Sequence, residues 1–183
     1  MKSLFVKYKS VIKFILTFLL VYIALSYAYK LYLDNSNSPV YYPDYVTHQV
    51  AKQTNDLVSF FGYDSQVVKH PNEPSMKMII NGNYLARVIE GCNALSVIIL
   101  FVAFIVAFKG KLKTTVLYIL FGILIIYITN IIRIALLSIG IYHYPEYTTI
   151  LHSVIFPTII YGLVFLLWML WVNKFSNIGK NNG

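Results

Sequence analysis

Charge is scarce in this chain and cysteine is nearly absent. Only 12% of the 183 residues are charged, and Cys92 is the single cysteine. The first shortage excludes an ordinary soluble domain, in which about a quarter of residues carry charge. The second excludes an internal disulfide and leaves one free thiol that needs a reason. Acids are rarer still, seven against fifteen Lys and Arg, but the net charge of +8 does not point to nucleic acid. A phosphate-binding face gathers its cations on one surface, whereas here they fall at alternate ends of apolar runs. A metal site built from Cys92 and the histidines lacks the clustered ligand spacing of zinc sites, and no cofactor is expected.

What the chain has in abundance is hydrocarbon: 58% of it is hydrophobic, with a mean hydropathy of +0.66. Crossing a bilayer takes about 20 apolar residues, and four stretches meet or approach that length. They run from about Val11 to Leu33, Asn93 to Phe108, Thr114 to Ile141 and Ser153 to Val172. Lys2, Lys7, Lys9 and Lys13 precede the first, Lys109, Lys111 and Lys113 separate the second from the third, and Lys174 and Lys180 follow the fourth. By the positive-inside bias these ends are cytoplasmic. All seven acids, Asp34, Asp44, Asp56, Asp64, Glu73, Glu90 and Glu146, then fall on the other side. The pattern predicts an all-α membrane protein, a four-helix transmembrane bundle with both termini cytoplasmic and a small external α+β segment. Residues 1–33 hold the cytoplasmic N-terminus and first span, and 34–91 the external segment. Residues 92–172 form a membrane core of three spans, and 173–183 a cytoplasmic tail whose last part, 176–183, reads as disordered. The run Phe14 to Leu25 also resembles a signal peptide cut near Ala24 or Ser26. Its apolar character continues to Leu33, which favours a retained span.

In the external segment, Asn35 to Tyr42 reads as a loop. Val46, Val50, Leu57, Val58 and Phe61 recur at helical spacing, with Gly62 placed to end an amphipathic helix lying on the membrane surface. Met76 to Ile80 and Tyr84 to Ile89 flank Asn81 and Gly82, the pair that supplies both positive φ angles of a type I′ hairpin turn. The second strand leads directly into Glu90, Gly91 and Cys92.

Three reactive side chains then share one level. Cys92 heads the second span and His152 the fourth, while Arg133 lies roughly 28 Å above Thr114 at 1.5 Å per residue, in the outer part of the core. A guanidinium inside a span is unfavourable by about 2.5–3.5 kcal/mol and normally meets a partner, a cavity or the headgroups. Asn130, three residues earlier, is placed to anchor it. At a helix N-terminus the dipole would favour an anionic sulfur. Ser96 lies one turn further along the same face. Glu90 would oppose that anion unless it pairs with Arg87 or Arg133. His143 competes with His152, whereas His48 and His70 read as solvated. A thiol, an imidazole and a cation suffice for acyl transfer through a thioester. The competing reading is a non-enzymatic membrane subunit assisting export or envelope assembly, with Arg133 structural and Cys92 inert.

The segments EGCNALSVIILF at Glu90 to Phe101, NIIRI at Asn130 to Ile134, and HSVIFPTIIYGLVFLLWMLW at His152 to Trp171 resemble the exosortase and archaeosortase family, most closely the short exosortase F branch. The resemblance implies a membrane cysteine peptidase or transpeptidase of the bacterial inner membrane with Cys92, Arg133 and His152 as catalytic residues. Glu90, Asn93, Ser96 and Asn130 would support the site or bind substrate. It further implies partners in the bilayer: exported proteins carrying a C-terminal sorting tail, and a small accessory membrane protein. The chain departs from the family at Asn93 and Ala94, where many members have Ser and Gly, and larger members carry about twice as many spans.

Overall fold

The structure, a computed structural model, describes residues 8–36, 40–108 and 110–175. The expectations for Lys2, Lys7, Lys109, Lys180, the tail 176–183 and the middle of the 35–42 loop fall outside these residues. In chain order the main elements are α1 (Lys9–Asp34), α2 (Tyr45–Phe60), β1 (Ser65–Lys69), β2 (Met76–Ile80), β3 (Asn83–Val88), α3 (Leu95–Ala107), α4 (Leu112–His143) and the helical stretch α5 (Pro145–Phe175).

Three of these, α1, α4 and α5, are long and apolar enough to cross a membrane. The apolar run that starts at Asn93 yields only the 13-residue α3, about 20 Å long at 1.5 Å per residue. Among the described residues, three candidate spans and one short apolar helix packed among them thus stand where four spans were expected. The cause is local: Ala94 adopts a left-handed conformation at φ 65°, and Phe108 is extended, so the run is trimmed at both ends. Phe101 and Ile105 of α3 meet Ile126 of α4 and Ile160, Val164, Leu167 and Trp171 of α5 in the main apolar core. α1 contributes no buried residue. It leans on α3 through Phe14, whose ring lies 5.7 Å from Phe104 and 4.5 Å from Phe108. Much of its other apolar surface, Leu16, Leu20 and Ile23 included, is exposed, as a lipid-facing helix requires.

The polar segment between α1 and α3 folds onto one end of this bundle. Asp44 caps α2, its side chain accepting the Thr47 N–H, and Gly62 at φ 89° ends it. The apolar stripe of α2 does not lie on the membrane surface. Val50 and Ala51 pack on Met76, Val88 and Ile134, and Val58 packs on Ile80 and Ala135, so the helix spends that face on the sheet and α4. Phe61, counted with the stripe from its spacing, is exposed. The hairpin turn is present, with Asn81 at φ 50° and Gly82 at φ 80°. A third strand not foreseen from sequence, β1, pairs antiparallel with β2, giving the order β1-β2-β3. Met76, Met78 and Ile80 alternate inward along β2. Between β2 and β3 the register slips: Met78 faces Ala86 while Ile79 faces Tyr84, so Leu85 is an extra residue. Such a bulge bends its strand and re-aims the side chains around it.

Gly122 tests the packing of the bundle. A Cβ there would lie 2.2 Å from Phe101 Cζ, and Phe101 is fully buried. Gly122→Ala is expected to lower stability by about 1–3 kcal/mol through overpacking, read as a fall in the thermal midpoint of the detergent-solubilised protein. Ala94→Gly is expected to act in the opposite sense. It relieves a left-handed strain of about 1–2 kcal/mol, offset in part by the greater backbone entropy of glycine.

Candidate active site

Cys92 closes a single 3₁₀ turn, Glu90–Cys92, in which its N–H donates to the Ile89 carbonyl at 2.8 Å. The turn sits where β3 meets the bundle, and buried asparagines hold it from two directions. Asn93, 1% exposed, accepts the Leu95 N–H at 2.9 Å. Its amide donates to the Tyr29 hydroxyl of α1 at 2.9 Å and to Thr47 Oγ1 of α2 at 3.1 Å. Asn130 of α4 donates to the Cys92 carbonyl at 2.7 Å. Three helices thus fix the backbone around the sulfur. Two sequence expectations change accordingly. Cys92 precedes the short helix by three residues instead of standing directly at its N-terminus, and Asn130 anchors the cysteine backbone instead of Arg133.

Arg133 lies one turn beyond Asn130 on α4, half-buried and within electrostatic range of Cys92 and of Tyr161. Its Nε is buried without a hydrogen-bond partner, and among the described residues no acid pairs with it. His152 does not head a helix. It sits in a π-helical turn, Leu151–Ile155, after helical residues that begin at Pro145. Pro157 accounts for the widened turn, because it has no N–H for the Ser153 carbonyl and its ring crowds that group. π-turns are rare and concentrate at functional sites.

The structure brings Cys92, Arg133 and His152 together on one cavity of about 520 Å³ between sheet and bundle. Tyr84, Leu85, Ala86 and Arg87 of the bulged β3 form one wall. Ile134, Leu137, Ile141 and Phe156 form an apolar wall opposite. Further polar groups, His70 and Glu73 among them, were not anticipated. His70 lines the same cavity, against the sequence reading that left it solvated, and its ring lies 6.4 Å from that of Tyr84. Glu73 also lines it and forms an ion pair with Arg87. Recognising β1 would have revealed His70, since the strand ends at Lys69 and delivers the next residue to the cavity. His143 is not part of this lining: its Nε2 lies 2.8 Å from the Tyr63 hydroxyl.

The remaining candidates separate from the cavity. Ser96 is exposed on α3, and Glu90 is exposed and faces a neighbouring hollow. The open question of Glu90's partner resolves against both arginines, because Arg87 is taken by Glu73 and Arg133 pairs with no acid among the described residues. Among those residues no group of three or more His, Cys, Asp or Glu side chains could hold a metal ion. Chemically, the cavity offers a thiol, two imidazoles and an uncompensated guanidinium, with an apolar wall beside them.

Residues 6–173 match the model of a family described as transmembrane exosortase. The chain belongs to that family. Membership supports a membrane-embedded, peptidase or transpeptidase role in protein sorting. No curated protein and no solved structure matches the chain significantly.

The hydrogen bond from Asn130 gives a direct check on how the cysteine is held. Asn130→Ala leaves the Cys92 carbonyl without its donor and is expected to lower stability by about 1–3 kcal/mol. Alkylation of Cys92, followed by mass spectrometry, should change in rate in the same variant, because the turn that presents the sulfur is released.

Proposed function

We propose that the protein is a membrane cysteine transpeptidase of the short exosortase F branch. It cleaves the C-terminal sorting tail of exported proteins at the non-cytoplasmic face of a bacterial inner membrane. The observation that supports this most is the shared cavity of Cys92, Arg133 and His152. In the proposed reaction His152 takes the thiol proton and the sulfur attacks the scissile carbonyl. The negative charge that develops on the carbonyl oxygen faces Arg133. Collapse breaks the C–N bond, His152 returns the proton to the departing amine, and a thioester remains on Cys92. An amine or water then resolves it.

Arg133 fits the part because no acid among the described residues neutralises it in the resting site. A desolvated guanidinium without a counter-ion is unfavourable, and the oxyanion compensates it only in the transition state, which is the condition for an interaction to accelerate the step. A tail helix confined to the same bilayer would present its juxtamembrane peptide at the depth of the cavity, and confinement raises its effective concentration. The sheet, with Tyr84 to Arg87 on its bulged strand, would read the recognition motif. The positive-inside pattern supports α3 running from the external segment to the cytoplasmic side, with both termini cytoplasmic. A small accessory membrane protein would work beside this core, since larger family members carry about twice as many spans.

The test is processing of a co-expressed tail-bearing substrate, followed by mass spectrometry of its mature C-terminus. Cys92→Ala and Arg133→Ala are expected to abolish tail removal while the protein stays inserted. His152→Ala should reduce the rate by about 10²- to 10⁴-fold, the usual share of a general acid–base group. Unchanged processing by Cys92→Ala would refute the mechanism.

A further inference from the structure

Beside the Cys92 cavity lies a second hollow of about 450 Å³. The two share a wall, since Glu73 and Arg87, joined to each other as an ion pair, line both. Past that wall the second hollow carries Asp44, Glu90 and Ser75. Asp44 is 1% exposed and Ser75 fully buried, yet among the described residues Asp44 Oδ2 and Ser75 Oγ have no hydrogen-bond partner. The other Asp44 oxygen is committed, accepting the Thr47 N–H at 3.0 Å and the Tyr32 hydroxyl at 3.1 Å. Buried polar atoms are almost always paired, and a carboxylate oxygen is costly to leave without a donor. Arg87 is committed to Glu73, so among the described residues Asp44 and Glu90 have no cation of their own.

These acceptors call for a donor that brings positive charge. The carboxylates are too dispersed to chelate an ion: no group of three or more metal-type ligands exists among the described residues. An organic cation suits separated acceptors better, because its N–H groups point in several directions and accept nothing in return. We propose that the second hollow is a subsite for an organic ammonium or guanidinium group, placed next to the cavity that holds Cys92. Its part in the reaction rests on the transpeptidase reading above, whereas binding of the cation does not. The charged group has two sources: an amine acceptor that resolves the thioester, or a Lys or Arg side chain of the substrate near the cleaved bond.

The experiment uses the full chain in lipid nanodiscs, with protonated glycinamide as the probe and N-acetylglycinamide as its neutral counterpart, binding being followed by saturation-transfer NMR. Glycinamide is expected to bind the wild type and Cys92→Ala alike, and at least tenfold more weakly to Asp44→Asn and Glu90→Gln, while N-acetylglycinamide does not bind. Asn at position 44 keeps an oxygen for the Thr47 cap, and Glu90 is exposed, so a folding defect common to both variants is not expected. Equal binding of the neutral compound, or unchanged affinity in both variants, overturns the subsite. Since Cys92→Ala forms no thioester, this arm fails independently of the transpeptidase reading. In the processing assay, glycinamide joined to the mature C-terminus identifies an acceptor site. Slower processing without incorporation identifies a site for the substrate's own basic side chain. Processing neither diverted nor slowed overturns the link to Cys92.

Discussion

Two buried asparagines hold the cysteine turn against the membrane helices, and the rest of the site depends on that attachment. Asn93 and Asn130 are 1% and 2% exposed, so their amides must find partners or bear the full desolvation penalty. The partners they find lie on different elements: Tyr29 on α1, Thr47 on α2, and the Cys92 carbonyl. Directional bonds of this kind fix a backbone where apolar contact alone would let it slide. The sheet and the bundle are joined at the residue that carries the thiol.

From that joint the cavity takes its character. One side is the polar strand β3, bulged at Leu85 so that its neighbours face the bundle, and the other is apolar helix surface from α4 and α5. A peptide entering between them would leave water on the helix side and keep hydrogen-bonding groups on the sheet side. Charges at such a boundary act through a lower dielectric than in bulk water. The uncompensated Arg133 and the unpartnered Asp44 oxygen lie on either side of the Glu73–Arg87 pair. Opposite charges held apart by a neutral pair give the two hollows opposite preferences.

Much of this could be read from residue order. The long apolar runs of α1, α4 and α5, the Asn81–Gly82 turn and the amphipathic spacing of α2 are local signals, and local signals survive in one dimension. What escaped reading depends on three-dimensional neighbours. β1 contains only Val67 and Val68 as apolar residues, too few for an alternating pattern, and it becomes a strand because β2 lies beside it. His70 is remote in sequence from Cys92, and only the missed strand carries it to the cavity. The second apolar run was read too long, because hydropathy does not register that Asn93 is a cap and Ala94 a left-handed bend. His152 was read as a helix start, since Pro157 was not recognised as widening a turn inside a longer helix. Arg133 was legible because a charge amid Ile131, Ile132, Ile134 and Ala135 is anomalous on its own.

The spacing of Asn130 and Arg133 shows how one helix can divide two tasks. Three residues apart, they lie on the same face about 4.5 Å along the axis. The sequence suggests that the amide serves the guanidinium, yet the Asn130 N–H donates to the Cys92 carbonyl and its oxygen accepts no hydrogen bond from Arg133. The carbonyl available is that of Cys92, delivered by the 3₁₀ turn Glu90–Cys92 that joins β3 to α3. Asn130 therefore takes the backbone of the cysteine residue. Arg133, one turn further on, is left without an intramolecular acceptor among the described residues and faces the cavity that the sulfur shares. Without the Asn130 amide that carbonyl would lose its donor and the turn that holds the thiol beside the guanidinium would be released, so the two side chains of one helix face serve one cavity.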